Sequence, residues 1–205
     1  MRISQSIPRT IARATSAMAI VVAATATAGP ARVTKSAAFP AGYNAIASAK
    51  MVAGSPRRSF DIVAYAVADE GGYGRGDAPA RPLAIYEIVG GRRRLVARND
   101  HVVLGRDEGG QCDPFDPEDA GGHVVAKGRY FTVENGVACG QHWTSYITFR
   151  LDDRQGFVFD NHRRESWSLN TDQRPDAEAL VRDGPLTKIR ADPAHPVGFA
   201  AWRPR

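Results

Sequence analysis

The sequence predicts a mainly β protein, an antiparallel meander sheet or sandwich with one or two short helices in a single domain. Three observations carry that expectation. From Asp61 onward the apolar residues fall in short runs that end at Gly, Pro or Asp clusters. Two pairs of these runs meet at tight glycine turns, Gly90-Gly91 and Lys127-Gly128, as hairpins do. In the run His142 to Leu151, Trp143, Ser145, Ile147, Phe149 and Leu151 alternate with His142, Thr144, Tyr146, Thr148 and Arg150. That alternation marks a half-buried antiparallel strand.

The first element is a leader. Arg2, Arg9 and Arg13 precede an uncharged run from Ala14 to Ala28 that closes on Ala26-Thr27-Ala28, the pattern of an export signal with a small-residue cleavage site. The run is shorter than the ~20 apolar residues that span a bilayer, and no other stretch approaches that length. No Cys follows it to carry a lipid and no adjacent Arg pair precedes it. The expected organisation is a signal over residues 1–28, a flexible segment over 29–39 and one β-rich domain over 40–205, a usual domain size.

Within that domain Tyr43, Ile46, Ala47, Lys50 and Met51 have helical spacing, so a short helix is expected before Gly54 and Pro56. Strands follow at Asp61 to Ala68, Pro82 to Val89, Arg93 to Arg98 and His101 to Leu104, the last as a short edge strand. Residues 122–126 and Arg129 to Glu134 flank the Lys127-Gly128 turn. After the alternating strand, Asp152 to Gly156 turns the chain into Phe157 to Phe159, and Arg164 to Leu169 comes next. Asp176 to Arg182 has helix formers behind Pro175 and a Gly184-Pro185 stop. Leu186 to Ile189 and Val197 to Trp202 read as two closing strands, with Phe199 and Trp202 docked on the body.

Cys112 and Cys139, 27 positions apart, are the two cysteines of the chain. An export signal and an even count favour a disulfide over a reactive thiol with His142 as its base. Around them Gly109-Gly110-Gln111-Cys112-Asp113-Pro114-Phe115, Tyr130-Phe131-Thr132-Val133-Glu134-Asn135-Gly136, Cys139-Gly140-Gln141-His142-Trp143 and Tyr146-Ile147-Thr148-Phe149-Arg150 resemble the core of a group of exported bacterial proteins of unknown function. The resemblance spans residues 50–170 and implies a compartment and a β-rich fold, with no activity attached. Members of that group often open with an Asp/Asn-rich calcium-type turn. Here the matching place, Gly54 to Asp61, puts Arg57 and Arg58 where ligands would sit.

Charge and motifs exclude several functions. The chain carries 27 Lys+Arg against 22 Asp+Glu, and removing the leader lowers the net charge from +5 to +2. Arg57-Arg58, Arg92 to Arg94 and Arg163-Arg164 lie in no nucleic-acid motif, so no nucleic-acid partner is expected. The Gly-x-Ser-x-Gly and Ser-x-x-Lys patterns are absent. The acidic run Asp107, Glu108, Asp113, Asp116, Glu118 and Asp119 does not have EF-hand spacing, and His101, His123, His142 and His162 lack the paired spacing of a zinc site. No metal or cofactor is assigned. The expected role is a non-enzymatic envelope or extracellular binding protein, not membrane-spanning, with the Cys112–Cys139 bridge and a binding surface of Asp113, Asp116, Glu118, Asp119, His142, Trp143, Tyr146 and Arg150. The alternative is a metal-assisted hydrolase built on the His and Asp set.

Overall fold

Chain order and sheet order coincide over most of the protein. The computed structural model describes residues 39, 41–110, 112–116, 123–139, 142–172, 174 and 176–204. A first antiparallel sheet runs β1 (Tyr43–Ala53), β2 (Arg58–Val67), β3 (Arg81–Val89) and β4 (Arg92–Val103), each paired with the next. A second meander follows in β5 (Val124–Lys127), β6 (Tyr130–Val137), β7 (His142–Asp152) and β8 (Gly156–Leu169). Two short strands, β9 (Leu180–Arg182) and β10 (Thr187–Arg190), pair with the free edge of β8.

Alternation decides what each strand buries. On β7 the odd-numbered residues Trp143 to Leu151 are buried and the even-numbered ones half-exposed, as the sequence pattern predicts. Their neighbours across β6, among them Phe131 and Val133, turn the same way and meet Ile62, Leu83, Ile85 and Val102 of the first sheet in one core. β1 packs against β5 at one side of this core. At the other, the 3-10 turn Phe199–Ala201 lies against β4 and β8. Phe199 packs edge-on against Phe149 at 5.0 Å, and Trp202 stacks beside Phe159 at 5.8 Å between ring centres. Buried Asn99 holds this segment by donating its amide to the carbonyls of Phe199, 2.6 Å, and Trp202, 2.9 Å.

The outward face of the first sheet is also closed. Val63, Tyr65, Ala84 and Tyr86 form a second buried cluster, in which the Tyr65 hydroxyl donates to that of Tyr86 at 3.2 Å. Phe39 stacks on Tyr65 at 4.0 Å, and the Arg98 guanidinium lies over Phe39.

Several expectations are corrected. Tyr43 to Met51 is strand, not helix, and among the described residues the helical elements are 3-10 turns alone. The register of β1 slips between Ala45 and Ala47, and the extra residue of this bulge gives a strand the three- and four-residue spacing of a helix. Asp176 to Arg182 is not helical either, because its end pairs with Trp167 to Leu169 as β9. Helix formers over so few residues make a weak preference that an available strand edge overrides. Val197 to Trp202 makes a single bridge, Gly198 with Val158, and then turns. His101 to Val103 continues β4 after a register shift opposite β3, and Phe157 to Leu169 belongs to one strand, β8, with a register shift between Phe159 and Asn161 opposite Thr148 and Phe149 of β7. The expected leader over residues 1–28 and the tail before Phe39 lie outside the described residues.

Candidate functional site

The cysteines are joined. Cys112 and Cys139 form a disulfide with their Cα atoms 6.2 Å apart, fastening the loop after β4 to the β6–β7 connection. Closing a loop of this length contributes about 3 to 4 kcal/mol.

Beside the bridge lies a residue that no sequence pattern singles out. Arg81, at the start of β3, is 2% exposed. Its guanidinium donates to both carboxylate oxygens of Glu70, at 2.7 and 2.5 Å, and to both of Asp113, at 2.6 Å each. It also reaches the carbonyls of Leu104 and Phe115. Burial pulls the pKa of this cation down, but the bonds to Asp113 and Glu70 outweigh burial and hold it above its ordinary value. Arg81 thus ties the acidic loop to the first sheet. A buried cation has no periodic signature; the sequence shows only an Arg before a strand.

That arrangement assigns most of the acidic loop to structure. Asp113 is held by Arg81 and accepts from the Phe115 amide. Asp107 accepts from the Gly76 amide at 2.9 Å, and Glu108 from the Gly105 amide. The Asp116 carbonyl pairs with His123 Nε2 at 2.8 Å. Glu118 and Asp119 lie outside the described residues.

The histidines are dispersed. His101 is exposed on β4, His123 is buried against Phe115, and His142 is on the outward side of β7. His162 faces inward on β8, where its Nε2 pairs with the Ser145 hydroxyl at 2.8 Å. Burial, and then the nearby Arg164 charge, keep its pKa below the ordinary histidine value. His162 also borders a cleft of about 500 Å³ with Phe159, Ile189 and Trp202 on its walls and the Asp192–His195 pair at its rim. Ser145 does not line this cleft, and among the described residues His162 has no carboxylate partner. No group of three or more His, Cys, Asp or Glu among the described residues is placed to hold a metal ion.

What is assembled and open is the outward face of the second sheet. His142, Thr144, Tyr146, Thr148 and Arg150 project there from β7. Trp143 does not belong to it: at 8% exposure it turns inward, beneath the Arg164 guanidinium. The register adds residues that chain order hides. Opposite His142 and Tyr146 stand Trp167 and Arg163 of β8; beyond them come Arg182 of β9 and Lys188 of β10. Arg163 lies over the Tyr146 ring at 4.4 Å and Arg182 over that of Trp167 at 5.2 Å. Glu165 sits between the two cations, 3.4 Å from Arg163 and 3.9 Å from Arg182. On the β6 side Thr132 and Thr148 share a hydroxyl bond of 2.9 Å.

By its fold the chain is a two-sheet antiparallel β domain with a disulfide-tied loop. It matches no protein-family model, no curated protein and no solved structure. Among the described residues no helix is long and apolar enough to cross a membrane.

Proposed function

We propose that this is an exported binding protein without catalytic activity, which meets its partner through the outward face of the six-stranded sheet. The observation that carries the reading is the contrast in how side chains are used. The carboxylates of Asp107, Glu108 and Asp113 and the inward histidines His123 and His162 are engaged in bonds that hold the fold, whereas Tyr146, Arg150, Arg163, Trp167 and Lys188 stand in register on a sheet face open to solvent. Side chains carried by a rigid sheet lose little freedom on binding, which favours a recognition surface. The leader-like N-terminus supports export, and so does the disulfide, which persists in oxidising compartments.

Hydrogen exchange of the purified protein, alone and with a solubilised envelope fraction, tests the reading. Protection is expected in peptides from β7, β8 and β10. Protection confined to the first sheet, or none anywhere, overturns it.

A further inference from the structure

We infer that the partner of this face is an acidic polysaccharide, bound along β8 by a track of cations. The inference rests on the binding reading above and adds the chemistry of the ligand to it.

The track follows from the register. Arg182 stands beside Trp167, Lys188 beside Arg163 and Arg190 beside Asn161. At about 3.3 Å per residue, Arg182, the Arg163–Lys188 pair and Arg190 follow one another at intervals of roughly 13 and 7 Å. Arg150, opposite Val158, extends the line along β7. Lys188 and Arg190 are exposed, and the side chains of Arg163 and Arg182 are 41% and 47% exposed. Carboxylates share this face: Glu165 bridges two of the cations, Asp152 pairs with Arg150 at 3.2 Å, and Glu134 stands opposite Tyr146 on β6. Lys188 and Arg190 have no carboxylate opposite them in the register. The whole chain is only modestly basic, so this density of cations on one face is local.

Two details choose the kind of anion. First, Arg163 and Arg182 lie on aromatic rings, which orders their planar guanidinium groups before any ligand arrives. Ordered guanidinium forks suit flat carboxylates, which accept two parallel bonds. Second, the ground beside the cations is hydroxylic: Thr144 and Thr148 of β7 and Thr132 of β6 share this face. Hydroxyls both donate and accept, matching the hydroxyls of a sugar ring. A single-stranded nucleic acid asks for something else, aromatic ring faces on which bases stack. On this track the rings of Tyr146 and Trp167 lie beneath cations. A linear sugar chain bearing carboxylates, with hydroxyls between them, satisfies both the forks and the threonines.

Calorimetric titration of the full protein with an oligogalacturonate probe, a neutral dextran of the same length and a charge-matched single-stranded DNA provides the test. Oligogalacturonate is expected to bind, with an affinity that falls as salt screens the charges, while dextran does not bind. Arg163→Gln and Lys188→Gln should each weaken binding, together roughly tenfold or more. Arg92→Gln, an equal loss of charge at the exposed β3–β4 turn, should leave it unchanged. Lys188 has no partner among the described side chains, so its substitution reports on binding even if Arg163→Gln perturbs the sheet.

Absence of oligogalacturonate binding overturns the inference, as does DNA binding as tight as that of the oligogalacturonate, or dextran binding insensitive to Lys188→Gln. In each of those cases protection of β7, β8 and β10 by the envelope fraction still decides the face separately. If oligogalacturonate binds but Arg92→Gln weakens it and Lys188→Gln does not, the face assignment falls together with the inference.

Discussion

The two sheets carry the same kinds of residue on their outward faces and use them in opposite ways. On the first, Tyr65 and Tyr86 are buried hydroxyl to hydroxyl, Phe39 covers them, and Arg93 is paired with Asp61. On the second, Tyr146 and Trp167 remain half-exposed with arginines laid over them, and Lys188 and Arg190 project into solvent. Tyrosine and arginine on a strand therefore do not by themselves mark a surface for a partner. What distinguishes the faces is cover: the rings of the first are buried, whereas those of the second stay accessible and Lys188 and Arg190 reach solvent.

The comparison can be broken at its most buried point. Replacing Arg81 with Met leaves Glu70 and Asp113 without their cation, and denaturant unfolding should show a loss of about 3 to 5 kcal/mol. Arg163→Met, the same change on the open face, should cost less than about 1 kcal/mol. Equal losses would abolish the distinction between the faces. Next in size is the bridge. Cys139→Ser should lower stability by about 3 to 4 kcal/mol while leaving the exchange pattern of β8 and β10 intact. Intact protein should take no thiol label before reduction.

Smaller effects sharpen the contrast. Tyr86→Phe removes the acceptor of a buried hydroxyl and should cost about 1 kcal/mol, against nearly nothing for Tyr146→Phe. Burial above all raises the Tyr86 phenol well above its ordinary pKa. A raised acid is favoured in its neutral form by folding. Its contribution is full below the unfolded value of about 10 and is lost as pH rises beyond it. Ultraviolet titration should find Tyr86 protonated where exposed tyrosines have ionised, and Tyr86→Phe should flatten the alkaline loss of stability. The smallest effect belongs to His162, whose pKa is lowered. Stability should be full above the ordinary histidine value and decline as pH falls through it, because the unfolded chain takes up the proton more readily. His162→Gln should reduce that decline in unfolding curves measured between about pH 7 and 5.

How much of this was legible varies with the physical signal. β7 announced itself because a period of two survives wherever one face is buried, and the Gly90-Gly91 hairpin did so because glycine tolerates the positive φ angles found there, 57° and 75°. β1 reads as a helix because its bulge shifts the alternation by one residue at Ile46. Part of the candidate surface, Tyr146 and Arg150, can be read from β7 alone. The rest cannot, since Lys188 meets Arg163 only through the pairing of β10 with β8. The sequence pattern puts Asp113 on the surface because its partner, Arg81, is 32 positions away and nothing local reveals the pair.

The meander order bears on how such a chain assembles. Within each sheet up to β8, every strand pairs with the one just before it, so a chain delivered from its N-terminal end can add each strand to one already in place. Registers are then searched over short loops, which is fast. The long-range return is made by Asn99, whose amide waits for carbonyls 100 and 103 residues further on. Until residues 199–202 arrive, the ring cluster around Phe149 lacks part of its cover. The last segment to appear acts as a latch, and the time at which it closes separates a chain still open to capture from one that is finished.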